Sequence, residues 1–268
     1  MIKLIATDVD GTLGEVNTPK IHEEYYTVIR ALLDRGIKGV IASGRQYPAL
    51  LRLFSDLKDE LAYVADNGAH VLLNGKDLYV SPMTLEVSRE LVRDVRTLGN
   101  GCECAYCVAG KAYFSPKDQN VYRVMKEQMH YDCYMVDFLE ELEEPCIKMT
   151  VYHPSDAEGV TAEWFTPKWR ERLQVSCSGK VYMDIMNSDT NKGASLKKIQ
   201  DYYGIRPEET MVFGDNFNDL EMFDCAYYSY AVGDARQEVI DSARFTAPPM
   251  KENGVLQILK ELLEKQNQ

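Results

Sequence analysis

No stretch of about 18 consecutive apolar residues occurs in this chain, so no segment reads as a membrane-spanning helix. There is no internal repeat and no low-complexity linker, which sets aside solenoids and flexibly tethered modules. Positive charge is in short supply. Thirty Lys and Arg stand against 42 Asp and Glu, giving a net charge of −12 and a pI near 4.9. That balance argues against nucleic acid or an anionic membrane as the main partner. It leaves room for a small anionic substrate, because a few local cations and a metal outweigh the global field. Cysteines are few and odd in number, seven in all. They predict reduced thiols in a cytoplasmic protein rather than a disulfide framework. Cys102, Cys104 and Cys107 lack a fourth ligand at any common zinc spacing, His130 and Cys133 being distant, and read as small buried side chains of a strand.

The segment Lys3-Leu4-Ile5-Ala6-Thr7-Asp8-Val9-Asp10-Gly11-Thr12-Leu13 is the most informative. Two carboxylates stand two residues apart where an apolar strand runs into a glycine turn. In a strand, residues i and i+2 point the same way, so Asp8 and Asp10 can face one site unless the turn rotates the second. Paired carboxylates repel and call for a proton or a cation. A hard divalent ion such as Mg²⁺ suits an all-oxygen site. Taken alone, Asp-x-Asp-Gly is also an ordinary strand-to-turn junction.

Strands and helices alternate around it. Residues 2–7 read as a buried strand, Ile21 to Arg35 as a helix closed by Gly36, and 37–42 as a short apolar strand. A helix from Pro48 to Lys58 and a strand from Leu61 to Ala65 follow. This alternation predicts an α/β fold: a Rossmann-like parallel sheet core with helices on its faces. Asn74-Gly75 signals a hairpin, and from about Ser81 to Asn187 the style changes to α+β with an antiparallel sheet. A helix is read at 85–98, hairpins around Ala109-Gly110 and Ser178-Gly179, and strands at 146–152 and 181–186. The α/β style then resumes, with a helix from Asn191 to Tyr203, strands at 211–213 and 228–232, and a closing helix at 255–264. The expected organisation is a discontinuous core, 1–81 and 188–268, carrying an inserted cap, 82–187.

Four chemistry-bearing elements line up on this scaffold. Asp8 and Asp10 follow the first strand, Ser43 the second, and Asp215 and Asp219 a late one, while Lys192 opens a helix after the insert. Ligands of open parallel sheets bind at the carboxyl ends of strands. Phosphoryl transfer has a use for each group: a carboxylate nucleophile, a second carboxyl as acid and base, a divalent cation, and a hydroxyl, backbone N–H groups and a lysine to hold the equatorial oxygens. Each part has a bland reading as a turn or a solvated side chain. Their joint occurrence in this order does not.

The chain resembles the haloacid dehalogenase superfamily phosphatases of the Cof-type branch with a type IIB (C2) cap. The matching motifs are Asp8-Val9-Asp10-Gly11-Thr12, Ser43-Gly44-Arg45, Asn191-Lys192-Gly193 and Gly214-Asp215-Asn216-Phe217-Asn218-Asp219. Asp66-Asn67-Gly68-Ala69 and Ala231-Val232-Gly233-Asp234-Ala235 match around them. The resemblance covers essentially the whole chain. It implies that Asp8 is the nucleophile and a metal ligand, and that Asp10 is the general acid/base with its carbonyl on the metal. Asp215 is implied as a direct Mg²⁺ ligand and Asp219 as a support of the metal shell. Ser43, the Gly44 N–H, Lys192 and Asn218 are implied at the phosphate, with Thr12, Arg45 and Asn67 fixing loops. Thirty residues lie between Thr12 and Ser43, too few for a lid, whereas 148 lie between Ser43 and Lys192, enough for core elements and a cap of about a hundred residues.

The expected activity is Mg²⁺-dependent hydrolysis of a small phosphorylated metabolite, a sugar phosphate foremost, by way of a phospho-aspartyl intermediate. A phosphomutase on a sugar phosphate and a non-catalytic phosphate-binding regulator are the alternatives. Aromatics Tyr106, Tyr113, Phe114 and Tyr182 and charges Glu103, Lys111, Lys148 and Lys180 of the insert read as cross-strand pairs rather than ligand contacts.

Overall fold

Short runs of Leu, Ile, Val and Ala without alternation become strands buried on both faces. The computed structural model describes residues 1–265 apart from 158, 160, 162, 178 and 179. In chain order its elements are β1 (Leu4–Thr7), α1 (Glu24–Asp34), β2 (Lys38–Ala42), α2 (Tyr47–Leu53), β3 (Ala62–Ala65), β4 (His70–Leu73), β5 (Lys76–Val80), α3 (Leu85–Leu98), β6 (Glu103–Val108), β7 (Lys111–Phe114), α4 (Gln119–Arg123) and β8 (Cys133–Met135). There follow β9 (Lys148–Tyr152), α5 (Glu163–Trp169), β10 (Leu173–Cys177), β11 (Tyr182–Asn187), α6 (Lys192–Tyr203), β12 (Thr210–Gly214), α7 (Leu220–Asp224), β13 (Tyr228–Val232), α8 (Gln237–Ser242), β14 (Phe245–Ala247) and α9 (Gly254–Lys265). No helix among the described residues is long and apolar enough to cross a membrane.

The chain divides into two compact units. The first comprises Met1–Ser43, Leu50–Leu78 and Asn191–Gln268, the second Gly44–Ala49 and Tyr79–Thr190. Gly44–Ala49 therefore group with the second unit, although the sequence reading kept them in the core.

In the first unit an eight-stranded sheet runs β14-β13-β12-β1-β2-β3-β4-β5. The strands from β14 to β3 are parallel, and β4 is antiparallel to β3. Every residue of β1, β3 and β12 is buried, as expected for strands sandwiched between helices. Strand order reverses at β1: the chain moves outward through β2 and β3, then returns to β12 on the other side. A crevice at the carboxyl end of β1 is the topological consequence, and the register sets Thr7 level with both Ile41 and Phe213. The residues after β1, β2 and β12 thus emerge side by side.

The second unit holds a six-stranded sheet, β10-β11-β9-β6-β7-β8, antiparallel except for β7 with β8. One face is apolar. Cys104, Tyr106, Met149, Val151, Met183 and Ile185 pack under Leu91, Val92 and Val95 of α3 and Phe165 and Trp169 of α5. Alternation puts Cys107 on the other face, with Ala105, Ala112 and Phe114. Cys104 and Cys107 thus belong to separate clusters, and burial pushes the Cys104 thiol well above its ordinary pKa. The cysteines act here as small apolar side chains. At the neck of this unit, Asn187 Nδ2 donates to Ser81 Oγ (3.1 Å) and Thr190 Oγ1 donates to the same oxygen (2.8 Å).

Several elements differ from the sequence reading. The first helix starts at Glu24 rather than Ile21, and α2 ends at Leu53 rather than Lys58. The strands β8 and β14 are three residues long, too short for alternation to register. Pro167 inside α5 hides that helix. The hairpin read at Ser178-Gly179 lies outside the described residues. Asn74-Gly75 and Ala109-Gly110 do join neighbouring strands.

Candidate active site

The first strand delivers its carboxylate directly. Asp8 is buried, and its backbone N–H donates to the Phe213 carbonyl (3.0 Å), one step beyond the β1–β12 register. The chain then turns: the N–H groups of Leu13 and Gly14 both donate to the Val9 carbonyl, at 2.9 and 3.2 Å. Gly11 is required at this turn for two reasons. Its φ is +90°, and a Cβ there would stand 2.3 Å from Asp215 Oδ2. Because β1 ends at Thr7, Asp8 and Asp10 do not share a strand face. The turn separates them, and the Asp10 carboxylate is only half-buried and accepts the Asn17 N–H (2.7 Å).

Asp8, Asp215 and Asp219 form the acidic cluster, with one oxygen of each lying within 4.8 Å of the others. Lys192 is its counter-charge. Asn191 caps α6 by accepting the Ala194 N–H (2.7 Å), which sets Lys192 at the first helical position. Its buried ammonium donates to Asp8 Oδ1 at 2.6 Å and to Asp219 Oδ1 at 2.7 Å. Burial works against that charge, but Asp219 and Asp8 outweigh it and hold the lysine pKa above its ordinary value.

The three carboxyls differ in what is left to them. Asp219 has the most partners: Oδ1 takes the lysine, and Oδ2 takes the backbone N–H groups of Asp215 (3.0 Å) and Asn216 (3.1 Å). It pins the turn after β12. Asp215 accepts the Thr12 hydroxyl at 2.8 Å. Burial and then the Asp219 charge push its pKa up to about 6, against the Thr12 hydrogen bond and Lys192. Asp8 is raised as well, first by burial and then by Asp219, Asp215 and Asp10, with Lys192 opposing. One ammonium faces three carboxyls, so ionising all three would leave an excess of two negative charges. The donors are oxygens only. Both facts fit a hard divalent cation and no thiophilic one.

The remaining motifs are joined by one loop. After β3, Asp66, Asn67 and Gly68 all have positive φ, at 51°, 54° and 103°. That backbone is strained for the first two, and the loop spends the strain on three attachments. The Asn67 N–H donates to the Ser43 carbonyl (3.0 Å), which turns the Gly44 N–H to the opposite side of that peptide. Asn67 Oδ1 accepts Asn218 Nδ2 (3.0 Å). Gly68 lies so close to α6 that a Cβ would fall 2.3 Å from the Asn191 carbonyl, and its own carbonyl accepts Ser195 Oγ (2.7 Å). The loop thus ties three motifs, Asn67 the second and fourth and Gly68 the third, and Ser43 is fully buried beside it.

Within the second unit, the Gly44 carbonyl accepts Lys148 Nζ (2.8 Å) and the Tyr131 hydroxyl (3.3 Å), while Arg45 is buried. Lys148 and Glu103, read as members of cross-strand pairs, also bond outside the sheet: Lys148 is buried against this loop carbonyl, and Glu103 accepts Asn120 Nδ2 and the Val121 N–H at the start of α4. Tyr131 was not singled out by sequence. The period-2 placement of Lys148 with Thr150, away from the apolar Met149 face, is the signal that could have marked Lys148.

A family model described as haloacid dehalogenase-like hydrolase matches residues 5–259. The chain belongs to that family and is a phosphatase, a phosphoric monoester hydrolase. It is 27% identical over 263 residues to the 5-amino-6-(5-phospho-D-ribitylamino)uracil phosphatase YbjI of Escherichia coli (strain K12), covering 98% of this chain and 97% of that one. A crystal structure from Eubacterium rectale is 34% identical with a TM-score of 0.88, covering 97% of this chain and 99% of that one. The fold is shared with a solved subclass IIB sugar phosphatase, BT4131, at 24% identity and a TM-score of 0.83, covering 97% of this chain and 98% of that one.

Proposed function

We propose that the protein hydrolyses small phosphomonoesters with hydroxylated alcohol halves, sugar and polyol phosphates, through a phospho-aspartyl intermediate on Asp8 and with Mg²⁺ as cofactor. The observation that carries this reading is the buried cluster of Asp8, Asp215, Asp219 and Lys192 at the carboxyl end of β1. The relatives named for a phosphoribityl and a sugar substrate favour the alcohol class.

Asp8, Asp215 and the Asp10 carbonyl would hold the ion, with Asp219 orienting its neighbours. Bound there, Mg²⁺ supplies charge neutralisation between an anionic nucleophile and an anionic phosphate. Lys192 holds one Asp8 oxygen, so the carboxylate presents the other to phosphorus in a fixed direction. As the P–O(ester) bond breaks and the Asp8–phosphorus bond forms, Asp10 gives its proton to the leaving oxygen. Asp10, less buried than Asp8, then takes a proton from water, whose oxygen attacks phosphorus. Inorganic phosphate leaves and Asp8 is regenerated. Ser43, the Gly44 N–H, Lys192 and Asn218 receive the equatorial oxygens.

The test is phosphate release from a panel of pentose, hexose and polyol phosphates, with and without Mg²⁺, beside Asp8→Asn. Mg²⁺-dependent release that disappears in the variant supports the reading. Release that survives Asp8→Asn excludes the covalent route. Transfer of the phosphoryl group to a second sugar hydroxyl without release of phosphate favours a mutase.

A further inference from the structure

After Asp10 the chain folds back on itself. The Gly11 N–H donates to the Gly14 carbonyl (2.7 Å), and Asp10 and Gly14 form an isolated parallel bridge. A Cβ at Gly14 would stand 3.0 Å from Thr18 Cγ2, so the outgoing and returning limbs lie against each other. The Thr18 N–H then closes a four-residue turn on the Glu15 carbonyl (3.0 Å). Within that turn Asn17 has a φ of 62°, and the φ of Val16 is negative. Positive φ at the third residue alone is the type II pattern, whose central peptide is turned over relative to a type I turn. Glu15 and Val16 are exposed, so burial does not dictate this conformation. What the conformation does is aim the Asn17 N–H at Asp10 Oδ1, 2.7 Å away.

We propose that Asn17 is a positioning residue for Asp10: its left-handed backbone supplies the N–H that fixes the Asp10 carboxyl for proton transfer to the leaving oxygen. This rests on the phosphatase reading above. A carboxyl on a turn rotates about its Cβ–Cγ bond, and either oxygen can then take the proton. An N–H on Oδ1 removes that freedom. The oxygen that accepts an N–H serves as the carbonyl-type oxygen of the protonated acid, so the proton belongs on Oδ2. It passes from Oδ2 to the ester oxygen as the bond from that oxygen to phosphorus breaks, and the alcohol departs neutral. Asparagine suits the corner because its short polar side chain tolerates the left-handed region, as glycine does. A β-branched residue does not. It would relax the turn towards type I and bring the Val16 carbonyl round towards Asp10 in place of the N–H, setting an acceptor against an acceptor.

The experiment compares wild type, Asn17→Val, Asn17→Gly and Asp10→Asn, full-length and with Mg²⁺, on p-nitrophenyl phosphate and on the best-used sugar phosphate of a pentose and hexose panel. The quantity read is kcat/KM, which covers the steps up to departure of the alcohol, so the later attack of water does not enter it. A sugar alkoxide needs a proton to leave, whereas p-nitrophenolate leaves without one. Asn17→Val should therefore lower kcat/KM on the sugar phosphate about tenfold or more, and on p-nitrophenyl phosphate by less than about threefold. Asn17→Gly, which keeps both the left-handed backbone and the N–H, should stay within about threefold of wild type on both esters. Asp10→Asn should show the same bias as Asn17→Val, and a larger one. Equal losses of Asn17→Val on both esters, whatever its melting temperature, would make the turn merely structural and overturn the proposal. No loss on either ester overturns it too, as does a loss in Asn17→Gly as large as that in Asn17→Val, which would assign the effect to the side chain. The two readings fail separately. An unbiased Asp10→Asn, or a wild type that releases phosphate from neither ester, rejects the catalytic reading and this assignment with it. A biased Asp10→Asn beside an unbiased Asn17→Val rejects the role of Asn17 alone.

Discussion

Two clusters of buried acid in this chain obey opposite rules. In the second unit, Asp118 is wholly buried and wholly satisfied. It takes a two-pronged contact from Arg96 (2.7 and 2.6 Å), the Ser115 hydroxyl (2.7 Å), and the N–H groups of Cys104 (2.9 Å) and Ser115 (3.0 Å). Asp94 is similar, bonded to Lys168 (2.8 Å) and to the Trp169 indole (2.9 Å). In the first unit, Asp8, Asp215 and Asp219 share one lysine. The first arrangement is what folding alone favours, with a charge removed from water only when fully paired. The second leaves charge unbalanced, and such departures cluster where a protein does chemistry. The difference separates acids that hold the structure from acids that wait for a cation and a phosphate.

The largest expected effect is on turnover. Asp8→Asn is nearly isosteric and keeps an acceptor for Lys192, so the fold should persist while kcat falls by at least about 10³-fold. Near-normal release of phosphate by a folded Asp8→Asn protein would break the comparison at its root.

The next pair of variants removes the cation from each cluster. Lys192→Met and Arg96→Met should each cost about 3–5 kcal/mol at neutral pH, because each strands buried carboxylate. Chemical denaturation measures both. Mg²⁺ should restore part of the loss in Lys192→Met and none in Arg96→Met. Equal responses to Mg²⁺ would mean that the clusters are alike after all.

Asp215 sharpens the contrast through pH. Its folded-state pKa, near 6, lies above the ordinary carboxylate value of about 3.9. The folded, metal-free protein therefore binds that proton more tightly than the unfolded chain does. The stabilisation is complete below about pH 4 and disappears as pH rises through about 6. Asp215→Asn, which can still accept the Thr12 hydroxyl, should lose this pH-dependent component. Its melting temperature relative to wild type should rise between pH 4.5 and 7.5 without Mg²⁺. A difference that stays flat across that range would place the titration elsewhere.

The smallest effect concerns the loop that joins the motifs. Asn67→Ala forfeits the Asn218 hydrogen bond and places alanine at a φ of 54°. It should destabilise by about 1–2 kcal/mol and lower kcat more than it raises KM. Unchanged kinetics would confine Asn67 to a structural part.

Much of the first unit was legible in the sequence because its signals are local. Asp8 after an apolar run, Gly11 at the turn and Asn191 ahead of Lys192 each carry a backbone reason within a few residues. The even burial of β1, β3 and β12 follows from their unbroken apolar runs. What the sequence hid is what depends on distant partners. Asp219 is implied as a support of the metal shell, but nothing local shows that Lys192 and two backbone N–H groups bind it. Asp10 looks like the twin of Asp8 on a strand face until β1 ends at Thr7 and the turn sets it apart. Lys148 reads as one of a cross-strand pair, and its bond to the Gly44 carbonyl depends on a loop about a hundred residues away in sequence.

Calorimetric titration of the metal-free protein with Mg²⁺, in wild type and Asp215→Asn, tests the central claim most directly. The account requires one ion per chain, bound more weakly at pH 5.5 than at pH 7.5 because a proton must leave the cluster, with the heat lost in Asp215→Asn. No binding by wild type, or equal binding by the variant, would contradict it.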